Sequence, residues 1–166
     1  WESTPSNLDY GLDYLKSLRA AGFEEKLIEF GNRMLVYDRK NKLILEILGE
    51  THLNLFNLTE AKEKYLYLYN YVSSDYIYSI EISKILMDET LFEDAYKWAE
   101  DAIIKSSHSG ESYFQRAEVL FQTAENCVGD ALLFDDKVVY ELSVQDYSTA
   151  AEKGFDKGDT RKEFLE

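Results

Sequence analysis

The stretch Leu48-Gly-Glu-Thr-His-Leu-Asn-Leu-Phe-Asn-Leu-Thr-Glu-Ala61 decides the fold of this chain. The small residues at its positions 49 and 61 recur as Ser83 and Ala95, one step of about 34 residues along the chain, and a second such step reaches Ala117. Two helices approach closely only where a small side chain separates their backbones. Small residues that recur at this fixed period therefore predict a stack of helical hairpins.

Apolar residues on either side of this stretch recur at helical spacing. From Leu8 onward they fall every three or four positions, which places one apolar stripe on each helix. Two polar tetrads, Asn57-Leu-Thr-Glu60 and Thr90-Leu-Phe-Glu93, have the form of capping boxes and predict helix starts. The segments 64–72 and 76–82 are rich in β-forming residues and alone would suit a β-hairpin. We favour helices there because the repeat requires them and local propensity is a weak guide.

The repeat resembles the tetratricopeptide repeat (TPR), which has a small residue after a leucine in its first helix and alanine and aromatic positions in its second. The matching positions are Leu48-Gly49-x-x-His52 with Ala61-x-x-x-Tyr65-x-x-Leu68, Ile82-Ser83-x-x-Leu86 with Ala95-x-x-x-Ala99-x-x-Ala102, and Arg116-Ala117-x-x-Leu120. They cover about residues 42–125. The resemblance implies an all-α fold of antiparallel helix-turn-helix repeats, stacked as a right-handed superhelical solenoid.

The same register divides the chain into units. We expect a tail at 1–6, a repeat domain at 7–158 with units at about 8–41, 42–75, 76–109 and 110–158, and the start of a further or capping helix at 159–166. The first unit matches the repeat poorly. In the last unit the second-helix pattern returns as Ser143-x-x-x-Tyr147-x-x-Ala150, so Ser143 corresponds to Ala61. The interval from Ala117 to Ser143 is more than twice the interval from Gly49 to Ala61. We therefore expect an insertion of about 14 residues near 126–136, since insertions in such repeats fall in loops.

Charge excludes some classes of partner. The net charge of −14 argues against nucleic acid and against anionic membrane surfaces, since both require a basic patch. The single cysteine, Cys127, allows no intrachain disulfide and slightly favours a cytoplasmic location. The chain begins at Trp1 and not at methionine, so we expect a fragment, and an exported bacterial protein stays open.

No constellation of residues in the sequence predicts catalysis, a metal or a cofactor. His52 and His108 have no second histidine or cysteine at metal-binding spacing. His52 occupies a position that is usually aromatic in the repeat, which favours a buried core histidine. The 13 tyrosines suit either a helical core or the binding of ligands and glycans.

In the TPR family the first helices of successive pairs line a groove that holds a partner. Transferring those positions predicts a groove formed by Glu46, Glu50, Leu53 and Asn54, by Ile80, Lys84, Met87 and Asp88, and by Phe114, Glu118, Phe121 and Gln122. Some family members clamp the terminal carboxylate of chaperone tails with lysine, asparagine and arginine. Glu50, Lys84 and Glu118 stand where that clamp requires asparagine, so we expect a different partner, a peptide with apolar anchors and some basic character.

The sequence as a whole favours a non-catalytic scaffold that binds a protein or peptide in this groove. Two alternatives remain: a helical module that binds a ligand or glycan in an exported bacterial protein, and the regulatory domain of a larger enzyme. Because isolated repeats pair through their end faces, a homodimer is a further expectation.

Overall fold

A computed structural model describes residues 8–127 and 134–158, and every regular element within these ranges is an α-helix. The helices are α1 (Leu8–Ala20), α2 (Glu24–Leu35), α3 (Lys42–Asn54), α4 (Leu58–Tyr71), α5 (Tyr76–Asp88), α6 (Phe92–Lys105), α7 (Gly110–Cys127) and α8 (Phe134–Glu152). They form hairpins in chain order. The expected tail at 1–6, the middle of the insertion and the expected helix at 159–166 lie outside the described residues.

The chain divides into two compact units, Trp1–Ser74 and Asp75–Glu166. The first contains α1 to α4 and the second contains α5 to α8. In the first unit the core is made by apolar side chains of α1, α2 and α3: Leu15, Leu18, Leu27, Phe30, Met34, Ile44, Ile47 and Leu48. In the second, α5 packs against α6 and α7, and α7 packs against both α6 and α8.

The two tyrosine-rich segments that also suited a β-hairpin are helical. Ala61, Tyr65 and Leu68 are the buried residues of α4, and their spacing of four and three gives the helix one apolar face. Helix α5 begins after Asp75, whose carboxylate accepts a hydrogen bond from the Ile77 N–H. Burial of helical surface, one face of α4 and much of α5, therefore outweighs the β-propensity of these residues.

Small residues lie where the helices of a hairpin approach closely. A Cβ atom on Gly49 would lie 3.0 Å from the ring of Tyr65, the aromatic position of the second helix. In the next hairpin the Ser83 hydroxyl donates to the Ala95 carbonyl oxygen at 2.8 Å, so the backbone of α6 lies directly against α5. Close approach is thus the reason for the small residues, as the repeat predicted.

The first three hairpins share one turn geometry. Gly22, Phe56 and Thr90 have positive φ angles of 69°, 57° and 60°. Each is separated from the next by one repeat period of about 34 residues. Each turn has the two backbone hydrogen bonds of a Schellman motif, for example Asn57 N–H to His52 carbonyl at 2.9 Å and Phe56 N–H to Leu53 carbonyl at 2.9 Å. The period is therefore present in the backbone conformation as well as in the side chains.

The predicted capping boxes are wrong, because their capping hydrogen bonds are not made, although α4 and α6 begin close to the predicted starts. Asn57 stands at the N-cap of α4, but its side chain makes no capping hydrogen bond. Thr90 lies one residue before the N-cap of α6, which is Leu91. The preceding helix ends in a Schellman motif that sets the backbone here, so the N-cap residues lack the extended conformation that aims a capping side chain.

The last hairpin is longer than the others. Helix α7 has 18 residues and α8 has 19, against 12 to 14 in α1 to α6. The two helices are tied by Arg116, whose guanidinium donates to both carboxylate oxygens of Asp146 at 2.7 and 2.8 Å. No helix in the described part of the chain is long and apolar enough to cross a bilayer.

Candidate functional site

In the first unit the predicted groove residues lie on α3. Glu46, Glu50 and Asn54 follow one another at every fourth position, so they share one helix face. Glu50 accepts a hydrogen bond from the guanidinium of Arg19 on α1. Glu46 lies 3.8 Å from the Lys42 ammonium. Both carboxylates on this face are therefore already paired with cations of the same unit.

In the second unit α5 presents three of its four predicted residues to the surface. Lys84 and Asp88 are exposed, and Met87 is half-buried. Ile80 is only 1% exposed and offers no accessible surface, contrary to its place in the predicted groove. The physical reason is that α5 packs against both α6 and α7, so buried residues cover much of its circumference.

The predicted residues of α7 are half-buried against α8 and the segment that follows it. The Phe114 ring lies 5.4 Å from that of Tyr147 and 5.0 Å from that of Phe155. Glu118 accepts a hydrogen bond from the Tyr147 hydroxyl at 2.8 Å. Phe121 and Gln122 continue the same side of α7, also half-buried. These side chains therefore support the α7–α8 hairpin while leaving part of their surface accessible.

Five predicted groove residues of the second unit meet around one cleft of about 330 Å³. Its lining residues come from α5, α7 and the end of the described chain: Lys84, Met87, Asp88, Phe114, Gln115, Glu118 and Lys157. Apolar atoms of a thioether and a phenyl ring thus lie beside charged groups of both signs. Such a combination suits the side chains of a peptide better than a purely apolar ligand.

Ion pairs set the charge that the cleft presents. The Lys84 ammonium lies 2.7 Å from a Glu81 carboxylate oxygen and 3.9 Å from a Glu111 carboxylate oxygen. Its positive charge is therefore largely offset from within α5 and α7. Asp88 makes no ion pair with any residue of the described ranges and remains available to a cation.

Two lining residues were not predicted. Gln115 is buried, and its amide Nε2 donates to Ser83 Oγ and Met87 Sδ, both at 3.1 Å. The contact with Gln115 fixes Met87 at the cleft. The small Ser83 at the close-approach position was the sequence feature that could have indicated Gln115. Lys157 follows α8 at the end of the last unit, beyond the matched repeat positions, and no pattern in the sequence links it to α5.

The two histidines lie in different settings. His52 is buried, and its Nδ1 has no hydrogen-bond partner in the described structure. Burial lowers the pKa of His52, and the nearby positive charge of Lys64 lowers it further. His108 is exposed, with its Nδ1 3.5 Å from the Ser107 hydroxyl. Among the described residues no group of three or more histidine, cysteine, aspartate or glutamate side chains is placed to hold a metal ion.

No protein-family model and no curated protein sequence matches the chain. Solved structures do. A crystal structure of MamA is 14% identical, with a TM-score of 0.73 over 95% of this chain and 84% of that one. MamA 41-end from Desulfovibrio magneticus RS-1 is 11% identical, with a TM-score of 0.70 over 95% of this chain and 82% of that one.

A third similar structure is YrrB, described as a TPR protein with an unusual peptide-binding site. It is 12% identical, with a TM-score of 0.66 over 92% of this chain and 73% of that one. At these identities the similarity concerns the fold. Together with the periodic recurrence of small residues and of left-handed turns, it confirms the predicted fold class: the chain has an all-α, TPR-like fold of helical hairpins.

Proposed function

We propose that this chain is a non-catalytic scaffold that binds a protein segment along the first helices of its hairpins. The observation that supports this most directly is the cleft between α5 and α7, where five side chains of the predicted groove line one cleft. A TPR-like fold supports the same proposal, and YrrB, one of its structural neighbours, is described as having a peptide-binding site.

The lining residues Met87, Asp88 and Phe114 favour a peptide with an apolar anchor next to a basic residue. Met87 and Phe114 supply apolar contact area for the anchor. Asp88 is the carboxylate available to a lysine or arginine of the peptide, because Glu118 already accepts a hydrogen bond from Tyr147. Lys84 is engaged by Glu81 and Glu111, which reduces its attraction for a peptide carboxylate.

Selection from a random peptide library against the immobilised chain tests this proposal. The selected peptides should carry an apolar residue close to lysine or arginine. In fluorescence anisotropy, Asp88→Lys should weaken binding of the selected peptide about tenfold, as expected for reversal of one exposed charge. The loss should decrease at high salt because the charge is exposed.

Glu141→Lys is the matched control, because Glu141 is an exposed carboxylate of α8 that does not line the cleft. It makes the same change in net charge and should leave peptide affinity within about twofold. Equal binding by wild type and Asp88→Lys would show that the cleft is not the site. Binding weakened equally by both variants would show that only net charge matters.

A further inference from the structure

The second helices of the first unit, α2 and α4, flank a separate cleft of about 590 Å³. Leu35 and Val36 line it at the end of α2, Leu66 lines it from α4, and Leu45 of α3 contributes to its lining. A concave site of this volume with a mainly apolar lining falls within the range that binds small organic molecules.

Two tyrosines of α4 give this cleft an aromatic side. Tyr67 and Tyr71 lie one helical turn apart, and their ring centroids are 5.0 Å apart at an interplanar angle of 45°. Tyr71 is 61% exposed, so much of its ring is open to a ligand. A bound aromatic ring can therefore extend this pair, and such contacts add to the energy of area burial.

The charged groups of the cleft favour an anion. Arg39 and Lys64 line it together with a single carboxylate, Glu63, which gives a local excess of positive charge on a chain of net charge −14. Arg39 makes no ion pair with any residue that the structure describes. Its planar guanidinium matches a carboxylate through two parallel hydrogen bonds.

We propose that this cleft binds a small aryl carboxylate, with its ring system against Tyr67 and Tyr71 and its carboxylate paired with Arg39. The arrangement combines an apolar floor, an aromatic side and an unpaired cation at one site. It is independent of the proposed peptide cleft, which belongs to the other unit and to the first helices of the hairpins.

The test compares two probes of nearly the same shape, 2-naphthoate and the neutral 2-naphthamide, titrated into the full chain and followed by NMR chemical shifts. We expect 2-naphthoate to bind with a dissociation constant of about 0.1–1 mM, appropriate to a ligand of this size, and about tenfold tighter than 2-naphthamide. Arg39→Gln should abolish the preference for 2-naphthoate while leaving the affinity for 2-naphthamide unchanged.

Arg19→Gln is the matched control, because it removes the same charge from the same unit at a residue that pairs with Glu50 and does not line the cleft. It should preserve the preference for 2-naphthoate. Equal binding of the two probes, retained preference in Arg39→Gln, or no shift changes at millimolar probe would each overturn the proposal. A wild-type dimer that Val36→Glu converts to monomer in light scattering would assign the cleft to a second copy and also overturn it.

Discussion

The turn at Phe56 leads to a quantitative prediction about stability. Its φ angle of 57° is left-handed, a conformation that costs a residue with a side chain about 1–2 kcal/mol. Glycine avoids this cost but loses about 0.5–1 kcal/mol more conformational entropy on folding than alanine does. Because Phe56 is 87% exposed, replacing its side chain removes little buried apolar surface. We therefore expect Phe56→Gly to raise the free energy of unfolding by about 0.5–1 kcal/mol.

Urea denaturation followed by far-ultraviolet circular dichroism measures this change, with an unaltered m-value as the sign that only stability has shifted. Phe56→Ala is the control, since it removes the exposed ring but keeps a Cβ atom in the left-handed region. Gly22→Ala is the reverse experiment. The added Cβ would meet only the Glu24 Oε1 atom, at 3.9 Å, so the expected loss of about 1 kcal/mol is conformational.

The reasoning fails if Phe56→Gly is no more stable than Phe56→Ala. It also fails if Gly22→Ala is as stable as wild type, because both substitutions act through the same dihedral angle. The corresponding change at the third turn, Thr90→Gly, should increase stability by a similar amount, since Thr90 is exposed and has a φ of 60°.

Three further predictions concern the core. Asp146→Ala should lower the free energy of unfolding by about 2–3 kcal/mol, because it leaves the half-buried guanidinium of Arg116 without its two charge-assisted hydrogen bonds. A loss below about 0.5 kcal/mol in urea denaturation would contradict this. Burial lowers the pKa of His52, so below the ordinary histidine value of about 6.5 the unfolded chain binds a proton that the folded chain does not. The free energy of unfolding should therefore fall as the pH is lowered from about 6.5 towards the lowered pKa. His52→Phe should flatten that part of the pH profile. Gly110→Ala should cost about 1–3 kcal/mol, since its Cβ would lie 2.6 Å from the Ala150 carbonyl oxygen, and an unchanged denaturation midpoint would contradict that close approach.

Several of the predicted groove residues come together because family positions fall at regular helical spacing, and their role in binding stays a prediction. Lys84, Met87, Asp88, Phe114 and Glu118 line one cleft. Ile80 does not reach the surface, since helical spacing identifies a face but not how far neighbouring helices cover it. Lys157 was missed because it joins the cleft through the folding of the segment after α8, which holds none of the matched repeat positions.

The aryl-carboxylate cleft had no sequence signal at all. Leu35, Leu66 and Leu45 have the spacing of ordinary core residues, and only the separation of α2 from α4 leaves a space between them. Whether an apolar side chain fills a core or lines a cleft depends on the distance between two helices that are not adjacent in the chain. Local pattern contains no information on that distance.

The sequence by itself determined the hairpins, their period and the positions of close approach, because small residues at Gly49, Ser83 and Ala95 act through sterics between neighbouring helices. Tertiary structure decided the turn conformations. Nothing about phenylalanine or threonine favours a positive φ, so Phe56 and Thr90 are held there by the Schellman hydrogen bonds and by helices packed on either side. It also decided part of which charges remain available to a partner, since the pairs Arg19–Glu50 and Lys84–Glu111 join residues distant in sequence.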